Sequence, residues 1–206
     1  YINEKIDDGH SIEYVVNVLD ASYRKNVNSF NYKFANEGIK LLSMQYPLEL
    51  VLRYMNQSKL KRNDGAVETF SIDLLKFISG YPDARNAVVV KDIDRNEIFD
   101  ENAANVFPIF YEKFGNSKDA SDVLRHCRTF SGSKAAFVVN PDMVFIAQQI
   151  LKDKDKLSKQ DIKFLDTVRL DYTKNIAIEA KEVLEMGLPI ERVQEFVNEL
   201  LKTKTY

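Results

Sequence analysis

The chain has 206 residues, 45% of them hydrophobic and 29% charged, and 29 Lys+Arg against 31 Asp+Glu leave a formal charge of −2. This composition describes a globular chain with a sizeable core, and seven Gly and five Pro exclude collagen-like and low-complexity classes. One cysteine excludes an internal disulfide framework and a four-thiolate zinc site, no apolar run approaches the roughly 18 residues of a membrane span, and near-neutral charge leaves no global field for nucleic acid or anionic membrane.

Most of the chain carries helical periodicity. After Asp7-Asp8-Gly9, Ser11 caps a predicted helix with an apolar stripe of Ile12, Val15, Val16, Leu19 and Tyr23. A second stripe runs through Val27, Phe30, Phe34, Leu41 and Leu42, weakened in the middle by Gly38. Pro47 opens a third helix with Leu48, Val51, Leu52 and Met55, and the polar segment 59–65 reads as a loop. Leu74, Leu75 and Ile78 mark the next helix, and Pro82 opens another.

Two short apolar runs, Ala87-Val88-Val89-Val90 and Ala135-Ala136-Phe137-Val138-Val139, fit either a buried strand or a buried helix end. Residues 106–114 and 120–127 are predicted helical, with Pro108 in a first turn or at a bend. Asp142, after Pro141, is expected to cap a helix over 143–151. Ser158 with Asp161 forms a short-armed capping box ahead of Ile162, Leu165, Val168, Tyr172 and Ile176. That pattern runs through Leu184 to a stop at Gly187, and Pro189 restarts a helix bearing Val193, Phe196, Val197 and Leu200.

Helix stops recur about every 35 residues, the spacing of helix-turn-helix solenoids, although residue identity repeats only at Tyr46-Pro47 and Tyr81-Pro82. The expected fold is therefore mainly α, with antiparallel helix pairs forming either a short α-solenoid or a non-repeating bundle. At most a minor β element is expected near Val88, Val89, Val90 and Val138, Val139. Residues 1–206 read as a single helical domain with a sub-boundary near 152–158. The polar start at Tyr1 suggests a fragment of a longer protein.

Catalytic signatures are absent, and none of the residues is assigned a catalytic role. Asp92 and Asp94 follow the valine run and could hold Mg²⁺ at a strand end, but Lys91 intrudes. As a calcium loop the segment fails too, with Glu97 where the turn needs Gly and Ala103 where the bidentate Glu belongs. His126-Cys127 begins like a cysteine-phosphatase loop, yet Ser133 stands where the Arg fork is required. Two histidines make a histidine-based acid–base pair an unfavoured reading. Lys59, Lys61 and Arg62, with Arg125, Arg128 and Lys134, could follow a phosphate backbone if they met on one face, with Phe130 or Tyr54 for stacking. Tyr32 falls off the apolar stripe and is the candidate for protein contact.

The leading expectation is a non-enzymatic protein-binding or scaffolding domain, cytoplasmic and without a cofactor. Its partner would be another protein or another domain of the same parent chain. The second reading is a helical nucleic-acid-binding module, and the third a metal-dependent phosphate-processing enzyme using Asp92 and Asp94.

Overall fold

The computed structural model describes residues 1–24, 28–57, 71–170 and 175–203. Val27, Tyr172, Lys59, Lys61 and Arg62 lie outside them. In chain order the first elements are α1 (Ile2–Asp7), α2 (Ile12–Ala21), β1 (Tyr23–Arg24), β2 (Ser29–Phe30), α3 (Tyr32–Ser43), α4 (Leu48–Gln57) and α5 (Ile72–Gly80). Then come α6 (Arg85–Val88), β3 (Val89–Lys91), β4 (Glu97–Phe99), α7 (Glu101–Phe114) and α8 (Ser117–His126). The remainder is β5 (Arg128–Ser131), β6 (Ala136–Val139), α9 (Pro141–Ile150), α10 (Lys159–Leu170), α11 (Ile176–Glu185) and α12 (Ile190–Thr203). The protein is mainly helical, as its periodicity predicts. Among the described residues no helix is long and apolar enough to cross a membrane.

Packing divides the chain into two compact units. The first comprises Tyr1–Pro82 and Arg95–Phe99, the second Asp83–Asp94 and Asp100–Tyr206. The 152–158 connector therefore lies inside the second unit.

In the first unit α2, α3 and α4 pack together through Val15, Val18, Leu19, Ala35, Ile39, Val51 and Met55. The buried stripe of α2 is rotated from the predicted one. Val18 is fully buried, whereas Ile12 and Val16 are exposed, because the helix meets its neighbours along Val15-Val18-Leu19. Phe30 is not on a helix. It pairs with Tyr23 across the β1–β2 hairpin, and α3 starts only after Asn31, whose side chain accepts from the Phe34 N–H. Gly38 sits where side chains of α2 and α4 approach α3 closely. A methyl there would lie 2.5 Å from Met55 Sδ and 2.8 Å from Val18 Cγ1.

The second unit surrounds its β elements with helices. The valine run divides: Val88 ends α6, and Val89 and Val90 belong to β3. The second ambiguous run becomes β6, paired antiparallel with β5 in the register Arg128↔Val139 to Ser131↔Ala136. An isolated bridge joins Asp92 to Ala136, and the Ile93 N–H donates to the Ala135 carbonyl at 3.0 Å. Helices α7, α8, α9 and α10 bury Phe107, Phe110, Leu124, Met143, Ile146 and Leu165. Pro108 lies inside α7, past its first turn. Asn140, not Asp142, caps α9, since Pro141 occupies the first helical position and the Asn140 side chain reaches the Asp142 and Met143 N–H groups. The Ser158–Asp161 capping box forms as predicted, with Ser158 N–H donating to Asp161 Oδ2 at 2.8 Å and Asp161 N–H to Ser158 Oγ at 3.1 Å. The long C-terminal pattern, however, is two helices, because α10 ends at Leu170 and α11 starts after a left-handed Asn175. Gly187, at φ +85°, ends the α11 segment where expected.

The spacing of helix stops is not matched by a recurring helix pair. Hairpins interrupt the helices at β1–β2 and β5–β6, and helix lengths range from four to 14 residues.

Candidate functional site

The β5–β6 ribbon is short, so its alternation is easily read from burial. Directly opposed residues share a face, and successive residues alternate faces. Thr129, Ala136 and Val138 are buried, and Phe130 and Phe137 are opposed on the other face, 51% and 50% exposed. Their ring centroids lie 5.5 Å apart in an edge-to-face arrangement. The Asp92–Ala136 bridge puts Asp92 on the inner side of this pairing and its neighbours Lys91 and Ile93 on the outer side. Ile93 is 72% exposed, and Lys91 is exposed beside it. Lys134, also exposed, sits in the loop between β5 and β6, where the Ser131 and Ser133 hydroxyls are hydrogen-bonded to one another at 3.1 Å. The outer face thus joins three exposed apolar side chains to the Lys91 position, with Lys134 in the loop at the ribbon's end.

Beneath it the ribbon is held rigidly. Asp100 is fully buried and caps α7 by accepting from the Ala103 N–H at 3.2 Å, while its other oxygen accepts from the Val139 N–H at 2.8 Å. Asn102 Nδ2 donates to the Val139 carbonyl at 3.0 Å. Arg128 is drawn inward, its Nη2 donating to the Ala87 carbonyl at 2.7 Å and its Nε buried without a partner. Burial lowers the Arg128 pKa, and the Asp100 carboxylate partly restores it.

The predicted cationic set is consequently distributed. Arg125 is an exposed residue of α8, 3.6 Å from Asp122, and Lys134 is at the ribbon tip, but Arg128 is engaged internally. Lys59, Lys61 and Arg62 fall outside the described residues. Tyr32 is exposed at the start of α3, its ring 5.1 Å from Tyr1 and 6.4 Å from Phe30. Asp92 is half-buried and Asp94 exposed, and among the described residues no cluster of three or more His, Cys, Asp or Glu could hold a metal.

His126 and Cys127 point to different surroundings. Cys127 is fully buried, its Sγ directed at the Met143 carbonyl at 3.6 Å, and burial pushes the thiol up to about 12. A thiol in that state is neither nucleophile nor ligand. His126 Nδ1 lies 2.9 Å from Asp166 Oδ1, which also accepts from Arg169 Nε at 2.7 Å. Burial raises the Asp166 pKa, but His126 and Arg169 outweigh it and hold the carboxyl below the ordinary range. An ionised Asp166 can only accept, so Nδ1 carries the proton, and His126 also borders a cavity. That cavity holds about 180 Å³ and is lined by Val123, Arg125, His126, Lys156, Leu157 and Ile162.

Sequence reasoning missed Ile93, Phe137 and Asp166. For Phe137 a signal exists: Thr129-Phe130-Ser131, a Gly-Ser-Lys loop, then Ala136-Phe137-Val138 is a strand–loop–strand pattern. Nothing in the order of residues links His126 to Asp166, forty positions away.

No protein-family model, curated protein or solved structure matches the chain.

Proposed function

We propose that the chain is a non-enzymatic protein-binding module that scaffolds a partner, either another protein or another domain of the same polypeptide. The single observation that supports this reading is the pair of half-exposed phenylalanines on the outer face of the β5–β6 ribbon, with Ile93 beside them. Phenylalanine is ordinarily buried, and adjoining exposed aromatic and aliphatic side chains are the usual core of a recognition patch. The backbone under the patch is fixed by Asp100, Asn102 and Arg128, so little ordering entropy opposes binding.

The test is affinity capture by the full chain and by a Phe130→Ser/Phe137→Ser variant, with helical circular dichroism as the folding check. Proteins retained by the wild type and lost from the variant are the expected result. An identical retained set on both would overturn the reading.

A second reading rests on the same two rings, with Lys134 in the loop that joins their strands: adjacent-strand aromatics form a stacking platform for single-stranded nucleic acid. It requires retention on heparin that collapses between low and moderate salt.

A further inference from the structure

We infer that the cavity bordered by His126 is a binding site for a small neutral aromatic alcohol, a molecule of the phenol class whose hydroxyl donates to His126 Nε2. The site lies wholly within the second unit and is independent of the ribbon docking face. It is built from the end of α7, from α8, from the 152–158 connector and from the start of α10. Size restricts the ligand first. A volume of about 180 Å³ is well below the roughly 300–1,000 Å³ of sites for drug-sized ligands, whereas a cavity of roughly 150 Å³ engineered in another protein holds benzene. One six-membered ring with a small substituent fills such a space, and a nucleotide does not fit.

The lining then selects the chemistry. Phe114, Leu157 and Ile162 are half-buried and Val123 is buried, so a ring has four apolar neighbours. The charged residues of the lining are all exposed, and they balance: Asp119 and Asp122 against Arg125 and Lys156. Arg125 and Asp122 lie 3.6 Å apart, and Asp119 Oδ2 accepts from Asn116 Nδ2 at 3.0 Å. No excess of either sign is left to select a charged ligand. The remaining polar residue is His126, which is 9% exposed. Its Nδ1–H donates to Asp166 Oδ1 at 2.9 Å, and Arg169 Nε donates to the same oxygen at 2.7 Å. With that tautomer fixed, Nε2 of the neutral imidazole is an acceptor, and it is the one side-chain atom of His126 left to hydrogen-bond a ligand. An acceptor among apolar walls favours a molecule with a single donor on an apolar body, because an analogue without the donor leaves the buried nitrogen unpaired.

The test is NMR titration of the full-length protein at pH 8 with four one-ring probes: phenol, anisole, benzoate and benzylammonium. Phenol is expected to bind at least about fivefold tighter than anisole, which has the ring without the donor, and tighter than either charged probe. It should also move the ¹⁵N signal of His126 Nε2, identified by its loss in His126→Gln, whereas anisole should not. Two variants separate the walls from the acceptor, with circular dichroism as the folding check. Ile162→Trp fills the apolar wall and should abolish binding of both neutral probes. Asp166→Asn releases the tautomer and should narrow the phenol-to-anisole ratio. Phe130→Ser/Phe137→Ser should bind phenol as the wild type does, and a loss there would place the probe on the ribbon and overturn the site. Tightest binding of benzoate or benzylammonium to the wild type would overturn the neutral ligand. Equal affinity for phenol and anisole would remove His126 from recognition, and no binding by any probe would leave the cavity to water alone; either result overturns the inference without touching the docking reading.

Discussion

At Gly38 two opposing contributions can be weighed. Glycine in a helix interior is about 1 kcal/mol worse than alanine, so by propensity alone Gly38→Ala should stabilise α3. The new methyl, however, would lie 2.5 Å from Met55 Sδ and 2.8 Å from Val18 Cγ1. Met55 can swing the end of a flexible side chain aside. Val18 cannot yield so easily: it is fully buried, and its branched side chain is confined to one rotamer in a helix. Overpacking of this kind costs about 1–3 kcal/mol, so Gly38→Ala is expected to lower stability by about 1 kcal/mol net. Urea denaturation would show this as a reduced midpoint at unchanged slope, and the loss should vanish in a Val18→Ala background, where the methyl has room. A raised midpoint in the single variant would mean that Val18 repacks without strain. Sequence periodicity registers Gly38 only as a weak helix former; its packing role depends on α2 and α4 crossing α3 at that turn, which no local pattern encodes.

Among the elements, those carrying their own punctuation were legible. The start of α10 is the clearest case, because Ser158 and Asp161 satisfy each other's backbone groups within one turn. Asp161 is nonetheless buried, and Lys154 Nζ reaches both its oxygens at 2.9 and 3.0 Å. Burial raises its pKa, but the Ser158 and Lys154 hydrogen bonds prevail and the net displacement is downward. The folded value thus lies below the unfolded one of about 3.9, so Asp161 contributes its full stabilisation above about pH 5. That contribution is lost as the pH falls through the lowered folded value. Asp161→Asn is expected to cost about 1–2 kcal/mol at pH 7, and the gap from wild type should close towards pH 2. Urea titrations at pH 7, 5, 3 and 2 check this; a gap constant with pH would mean that the charge on Asp161 adds nothing. The hairpins were only partly legible, for a different reason. Four-residue strands are too short to establish a period, and Arg128 to Ser131 reads as readily as a basic surface segment. Once β5 and β6 pair, the same letters place Arg128 against Ala87 and Phe130 in solvent.

At the scale of the whole chain, helix content could be anticipated but the division into two units could not. Composition does not change at Pro82, and the excursion of Arg95–Phe99 into the first unit leaves no mark in the sequence. Helices of common length joined by short loops produce stops at this spacing with or without a repeated unit. The single cysteine supplies a way to ask whether the second unit opens by itself. Cys127 belongs to the second unit and is fully buried, and its thiol is raised to about 12, so alkylation at pH 8 requires opening. Labelling by iodoacetamide should be at least about 10³-fold slower than for free cysteine. Asp100→Ala removes the α7 cap and strands the buried Val139 N–H, a loss of about 2–4 kcal/mol from the second unit. It is expected to speed labelling by one to two orders of magnitude at least, the low end of what that loss implies. Gly38→Ala weakens the first unit and should leave the rate unchanged if opening is local. Mass spectrometry of timed aliquots separates the cases. Acceleration by Asp100→Ala alone assigns the opening to the second unit, whereas acceleration by both in proportion to their stability losses would make the thiol accessible only when the entire chain unfolds together.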